Sequence, residues 1–250
     1  MPRFADEAVC VRSQEWSETS QLVVLVTRER GKVRGLAKGS RRGSPGAVER
    51  YSGGIGLLTR GQVVATTRRT GLASVTEWDL RGSYPGLRGD LSAWRAGMVA
   101  ADVADALLAE EDPCGGTFEL LVGLLAEIGK GGVGAVADAA EAALLRFLWG
   151  MLGEAGVRPE VRVDVATGEA LPTRKAYVFS PDAGGLVETG SVADWKVRAE
   201  TVERLRGLEQ SDGAGRGAET DRRANRLLLS YLRHHLGKQL PTMGWWLDDV

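Results

Sequence analysis

Only two cysteines, Cys10 and Cys114, occur in the 250 residues, and neither has a second cysteine nearby in sequence. That excludes a disulfide framework and any Cys-x-x-Cys metal site. Histidine is equally scarce: His234 and His235 are the two. Being adjacent, they point about 100° apart on a helix and cannot share a metal. No G-x-x-x-x-G-K-[ST] string occurs, and Gly31-Lys32 and Gly39-Ser40 lack the strand–loop–helix setting of a phosphate loop. Nor is there a Ser–His–Asp or Cys–His arrangement in recognisable context, or a cluster of acids at metal-nuclease spacing. The chain therefore reads as a non-enzyme without a cofactor. No apolar stretch approaches the roughly 18 residues of a membrane span, and the first residues have no apolar core of signal-peptide length. A soluble, cytoplasmic chain is the expectation. Aromatic residues are sparse in the first 82 positions: Phe4, Trp16, Tyr51 and Trp78.

What is present is charge, unevenly spread. Lys and Arg total 32 and Asp and Glu 33, but residues 1–82 carry 14 basic against 8 acidic side chains and residues 83–250 carry 18 against 25. Residues 26–42 concentrate the imbalance: Arg28, Arg30, Lys32, Arg34, Lys38, Arg41 and Arg42 face a single acid, Glu29. Exposed and edge strands often carry a few Lys or Arg against aggregation. Seven within fifteen residues exceed that need and point to a track for a polyanion, with nucleic-acid phosphate foremost.

The first 80 residues read as strands. Glu7–Arg12 is a short apolar run, Ser13–Thr19 a polar loop, and Ser20–Thr27 a strand buried on both faces. Gly31 provides a tight turn into Lys32–Lys38. Alternation there places Lys32, Arg34 and Lys38 on one face, with Val33 and Leu36 towards a core. Gly39–Gly46 is expected to be an exposed, mobile loop. Further strands are expected at Ile55–Thr59, Val63–Arg68 and Leu72–Glu77, a count that suits a small closed barrel. Beyond Tyr84-Pro85 the period changes. Helices are predicted up to Glu111, over Thr117–Ile128 and over Ala135–Leu152, with Gly129–Gly134 as a break. Residues 156–190 are non-helical. Helices return at Ser191–Arg206 and Asp221–Leu236, joined by a Gly-rich, mobile linker at Ser211–Gly217. The fold class is α+β.

The segment Leu25-Val26-Thr27-Arg28-Glu29-Arg30-Gly31-Lys32-Val33-Arg34-Gly35-Leu36-Ala37-Lys38-Gly39-Ser40-Arg41-Arg42 resembles the T-x-x-x-G-K-x-R-G-x-A-K-G-x-R-R stretch of the RecO family of bacterial recombination mediators. Phe179-Ser180-Pro181-Asp182-Ala183-Gly184-Gly185 and Leu232-Arg233-His234-His235-Leu236-Gly237-Lys238 are similar to family segments in the same order. The resemblance spans essentially the full length. It implies an N-terminal oligonucleotide-binding (OB) barrel over residues 1–82 and a helical domain over 83–250, with a zinc-finger-like insertion at about 156–190. It further implies a DNA repair protein that binds single- and double-stranded DNA and anneals strands. Such a protein would work with RecR to load RecA on DNA coated by single-stranded DNA-binding protein, whose acidic, apolar tail docks on the helical domain. RecO proteins commonly carry zinc on two Cys-x-x-Cys pairs flanking the Phe-Ser-Pro stretch. Here those positions hold Asp164 and Thr167, then Glu188 and Ser191, a poor ligand set for zinc. A metal-free remnant is expected, held by Val161, Val163, Val165, Tyr177 and Phe179.

Stacking is the other half of single-strand binding. Trp16 is either a solvent-facing platform or a barrel plug. The arginines of the last helix (Arg222, Arg223, Arg226, Arg233) are either a solvated face or a second contact surface. Trp245 and Trp246 are expected to dock rather than stand exposed. The competing reading is a protein-interaction scaffold with only weak DNA binding.

Overall fold

The computed structural model describes residues 2–67, 71–130, 136–209 and 217–247. Most of the break expected at Gly129–Gly134 (131–134), the end of the strand expected to reach Arg68, and most of the linker expected at Ser211–Gly217 (211–216) lie outside the described residues. The chain divides into two compact units, Met1–Gly132 and Val133–Val250.

In the first unit five strands close into a barrel: β1 (Arg3–Ser17), β2 (Ser20–Thr27), β3 (Gly31–Ala37), β4 (Arg60–Thr66) and β5 (Ala73–Gly82). Their order around the barrel is β1-β2-β3-β5-β4, with β4 returning to β1 and a parallel β3–β5 pair. This is the OB arrangement expected. Helix α1 (Pro45–Tyr51) sits between β3 and β4 in sequence, where a mobile loop was expected to end. Tyr51 enters the barrel core with Phe4, Ala8, Cys10, Val23, Leu25, Val33, Val75 and Trp78. Its hydroxyl donates to the carbonyls of Lys38 and Val75 at 3.2 and 3.1 Å.

The polar run expected as a loop, Ser13–Thr19, instead continues β1 to Ser17, leaving only Glu18 and Thr19 in the turn. Ile55–Thr59 is not a strand. Its apolar residues Ile55 and Leu58 are buried, but the backbone is claimed by other partners. Ile55 donates to Gln21 Oε1 at 3.0 Å and accepts from Gln21 Nε2 at 3.0 Å, while Leu58 N and Thr59 O bond the backbone of Cys10. A buried apolar run looked like a strand without being free to pair.

Three helices complete this unit: α2 (Gly86–Gly89), α3 (Leu91–Leu107) and α4 (Gly115–Ile128). Asp90 caps α3, accepting from Ala93 N at 2.8 Å. Its small residues Ala93, Ala96, Gly97, Ala100 and Ala104 are buried. Helices α3 and α4 cover the outer faces of β1 and β2. That is why Val24 and Val26, which point away from the barrel interior, are as buried as Val23 and Leu25. Each such Val contributes about 1.5–3 kcal/mol when fully buried.

The second unit holds α5 (Val136–Glu154), β6 (Ala176–Ser180), β7 (Gly185–Val187), β8 (Trp195–Arg198), α6 (Ala199–Glu209), α7 (Ala218–Leu236) and α8 (Gly244–Leu247). The strands form a sheet in the order β7-β6-β8. A helix was expected from Ser191, but Trp195–Arg198 pairs with β6 and α6 begins only at Ala199. Glu141 of α5 is a polar hub. It accepts from Asn225 Nδ2 at 2.8 Å, Arg222 Nε at 3.2 Å and Trp246 Nε1 at 3.2 Å. Trp246 is thereby docked, as expected. Arg204 and Asp221 form a buried pair at 2.5 Å between α6 and α7. Among the described residues no helix is long and apolar enough to cross a membrane.

Gly31 is needed twice over. Its φ is +70°, and a Cβ there would lie 1.7 Å from the carbonyl oxygen of Asp112. Gly31→Ala is expected to destabilise the chain by about 3 kcal/mol, read as a drop in the urea midpoint. A loss within about 0.5 kcal/mol, the scale of a neutral surface change, would contradict the close approach.

Candidate nucleic-acid interface

The seven basic residues do not form one track. Arg28, Arg30 and Lys32 lie at the β2–β3 end of β3, Arg34 at its middle, and Lys38, Arg41 and Arg42 past its other end; at a rise of about 3.3 Å per residue the strand is roughly 20 Å long.

At the β2–β3 turn the cations are spoken for. Arg28 Nη2 meets Glu7 Oε2 at 2.9 Å, Arg28 also pairs with Glu119 of α4, and its guanidinium lies 4.5 Å from the Phe118 ring centroid. Hydrogen bonding to Glu7, first, and the nearby charge of Glu119 push the Arg28 guanidinium above its usual range. Lys32 is 6% exposed. Its Nζ donates to the carbonyl of Asp105 at 2.6 Å and lies 3.4 Å from that carboxylate. Arg34 Nε pairs with Glu110 Oε1 at 2.9 Å on the surface. Arg30 is exposed, stacked at 4.6 Å over Phe4. The expected facing of β3 is half right. Residues 32, 34 and 36 do share a face, but Leu36 falls on it with them. Val33, Gly35 and Ala37 point inwards, because a strand alternates strictly by twos. Lys32 lies on the outer face yet is covered, since residues 110 and 111 run alongside it, with Glu111 N donating to Lys32 O at 2.9 Å.

The other end of β3 is open. Lys38, Arg41 and Arg42 are exposed, and Lys38 and Arg42 make no ion pair among the described residues. Arg41 pairs with Glu15, both partners being largely exposed. The loop is anchored rather than loose. Arg41 N donates to Thr19 O at 3.0 Å, and buried Ser40 donates to Gln21 Oε1 at 2.9 Å. These bonds set the loop against the β1–β2 turn, where Trp16 sits in the register shift between Glu15 and Ser17. Trp16 is 63% exposed; it faces solvent and is not a barrel plug. An exposed indole beside three cations on a barrel rim offers a face for a base and charges for its phosphates.

A second basic site lies within the other unit. A groove of about 320 Å³ runs between β8 and α7, with Trp195, Val197 and Leu227 as apolar lining and Lys196, Arg198 and Arg223 as cations. Lys196 and Arg198 form no ion pair among the described residues. The α7 arginines are engaged: Arg223 with Glu200 and Glu219, Arg222 with Glu141, Arg226 with Trp246 O, and Arg233 with Gln239. The groove-lining strand β8 escaped sequence reading, although Trp195-Lys196-Val197-Arg198 alternates apolar and basic residues.

The four positions matched to zinc-binding cysteines do not fit zinc. Asp164 is buried, and its Oδ1 accepts from Ala166 N and Thr167 N at 2.7 and 3.2 Å. Its Oδ2 accepts from Glu188 N at 2.6 Å. These bonds, that from Glu188 first, hold its carboxyl below the usual aspartate range. Glu188 pairs with Arg174 at 2.7 Å. The Thr167 and Ser191 hydroxyls accept from Glu169 N and Ala193 N. Among the described residues no three His, Cys, Asp or Glu side chains converge to hold a metal. Of the residues expected to hold the loops, Val161, Tyr177 and Phe179 are buried, whereas Val163 is half-buried and Val165 is exposed. Burial pushes the Cys10 thiol up to about 12, and Cys114 is only half-buried at the start of α4.

Comparison with known proteins gives one answer. The family model described as Recombination protein O N terminal matches residues 1–84, and that described as Recombination protein O C terminal matches residues 88–244. A DNA repair protein RecO from Anaeromyxobacter sp. (strain Fw109-5) is 31% identical, covering 96% of this chain and 93% of its own. One from Bifidobacterium adolescentis is 28% identical, covering 97% and 98%. One from Nocardioides sp. is 30% identical, covering 97% and 98%.

The two ends of β3 separate in a stability test. Lys32→Ala is expected to cost about 2 kcal/mol by removing the ammonium from the Asp105 carbonyl and from one side of its carboxylate, which keeps Arg12 on the other, and Lys38→Ala no more than about 0.5 kcal/mol, both by urea denaturation. Equal, small losses would mean that Lys32 is not held as described.

Proposed function

The chain belongs to the RecO family of DNA repair proteins, and from that premise we propose that it is a non-enzymatic recombination mediator that grips DNA at the open rim of its barrel. The observation that carries this reading is the exposed Trp16 next to the β1–β2 turn, against which the loop with exposed Lys38, Arg41 and Arg42 is bonded through Arg41. Cations displace condensed counterions from phosphates and confer affinity without sequence choice. A single platform adds stacking for one base and leaves duplex binding possible. Annealing uses the same chemistry: neutralisation lets two like-charged strands approach, and pairing then releases them as duplex. Of the seven cations first considered, Lys38, Arg41 and Arg42 are the ones proposed to contact DNA at this rim; Arg30, stacked on Phe4 at the other end of β3, is outside that grip. Arg28 and Lys32 serve chiefly to hold the turn and the end of α3, and Arg34 is engaged by Glu110 on the surface.

The function extends to partners. A mediator acts on DNA already coated by single-stranded DNA-binding protein, and with RecR it would admit RecA there. The groove beside Trp195 combines apolar lining with Lys196 and Arg198, which suits the acidic, apolar tail of single-stranded DNA-binding protein. Association with the nucleoid follows from the same activities.

Binding of a fluorescent single-stranded oligonucleotide should weaken linearly in log affinity against log salt. Combined Lys38→Ala, Arg41→Ala and Arg42→Ala should flatten that slope by about 2, at about 0.7 per lost phosphate contact. Trp16→Ala should cost about 1–3 kcal/mol of binding. Salt-insensitive binding, or a slope unmoved by the triple substitution, would favour the protein-interaction scaffold instead. For the groove, an acidic peptide ending in apolar residues should lose at least about tenfold in affinity on Lys196→Glu with Arg198→Glu, a change of about 1.4 kcal/mol. Unchanged anisotropy titrations would remove the groove from consideration.

A further inference from the structure

Two short loops flank the β6–β7 hairpin. Residues 163–170 form the first, closed by the Val163–Ala170 bridge and by Asp164 N donating to Glu169 O at 2.8 Å. Gly168 turns it at φ +76°, and its N–H returns to Asp164 O at 2.7 Å. The second loop follows β7 from Glu188. Ser191 N donates to Asp194 Oδ2 at 2.6 Å there, leading the chain into β8. Backbone bonds lay Glu160 and the first loop against the β6–β7 hairpin: Glu160 N to Gly184 O, Leu186 N to Glu160 O and Val165 N to Leu186 O, all between 2.9 and 3.0 Å.

In the family pattern a zinc ion would join these loops through four thiolates. We infer that here one buried anion, the Asp164 carboxylate, does that joining itself, so that the polarity of the site is inverted. Where a cation would sit among anionic sulfurs, an anion sits among inward-pointing N–H groups. One carboxylate oxygen organises the first loop through Ala166 N and Thr167 N, and the other latches the second through Glu188 N. Hydrogen bonds to an ionised acceptor are about twice as strong as neutral ones, and three of them satisfy the buried charge that would otherwise be costly. A cation entering the site would have to strip the carboxylate of those donors, leaving three N–H groups orphaned.

The clasp has a downstream role. The latched second loop runs through the Ser191–Asp194 turn into Trp195, Lys196 and Arg198, one wall of the groove. Asp164 is therefore a positioning residue for that wall.

The test uses the full chain. Elemental mass spectrometry should find zinc far below one equivalent, and a chelator should leave the thermal midpoint unmoved. One equivalent of zinc, or a chelator-sensitive midpoint, would overturn the inference. In amide exchange followed by NMR, Glu188 N–H should be protected in the unaltered protein. Exchange there as fast as in the open 171–175 segment would also overturn it. Asp164→Asn should speed Glu188 exchange about tenfold or more, as loss of a charge-assisted bond implies, and unchanged exchange would count against the clasp. Should that variant not fold, the two measurements on the unaltered protein still decide. Replacing Asp164, Thr167, Glu188 and Ser191 together by Cys should confer both bound zinc and chelator sensitivity. Failure to take up zinc would show that the loops are not arranged as an inverted metal site.

Discussion

Lys32 closes the end of helix α3. The last carbonyls of any helix lack an internal partner, and the carbonyl of Asp105, two residues before the end of α3, receives the Lys32 ammonium at 2.6 Å. A cation at this end also complements the helix dipole. The same residue's carboxylate takes Arg12 of β1 at 3.0 Å, and Asp102, one turn earlier, takes Arg12 as well at 3.2 Å. Two strands of the barrel are thus fastened to one helix through adjacent carboxylates. Once α3 and α4 are fixed there, the outer faces of β1 and β2 are roofed, and Val9, Val11, Val24 and Val26 can be as apolar as the interior. The roof also neutralises the cations beneath it. Lys38, Arg41 and Arg42, at the rim past the other end of β3, stay exposed.

Local signals carried much of this into the sequence. The bounds of β2 could be read from its run of β-branched residues, and the turn at Gly31 from the glycine alone. The fate of Lys32 could not be read, because its partner lies 73 positions away and charge does not announce burial. Leu36 was legible in principle: strict alternation from buried Val33 already puts it outside. Ile55 and Leu58 misled because an apolar run reports burial and not pairing. Trp195–Arg198 was absorbed into the helix that follows it, although four alternating residues next to a turn are the least that a strand needs.

The second unit makes the same point with the opposite outcome. The replaced cysteines were legible in the sequence, but the fastening of the double loop was sought among the valines. Val165 is exposed and Val163 half-buried, while the organising group is a polar side chain whose burial makes sense only with its three donors in place. A lone Asp reads as surface. Its role depends on Glu188, 24 residues on.

The compact unit ending at Gly132 runs well past the point, near residue 84, where one inherited segment gives way to the next. Lineage and compactness therefore have different borders in this chain. A fragment cut at the ancestral border would leave Val24, Val26 and Lys32 without the helices that shelter them, a greasy strand face and a stranded ammonium turned to water. Whoever wishes to study the barrel in isolation should carry α2, α3 and α4 along with it, and evolution, in exchanging such parts, would face the same requirement.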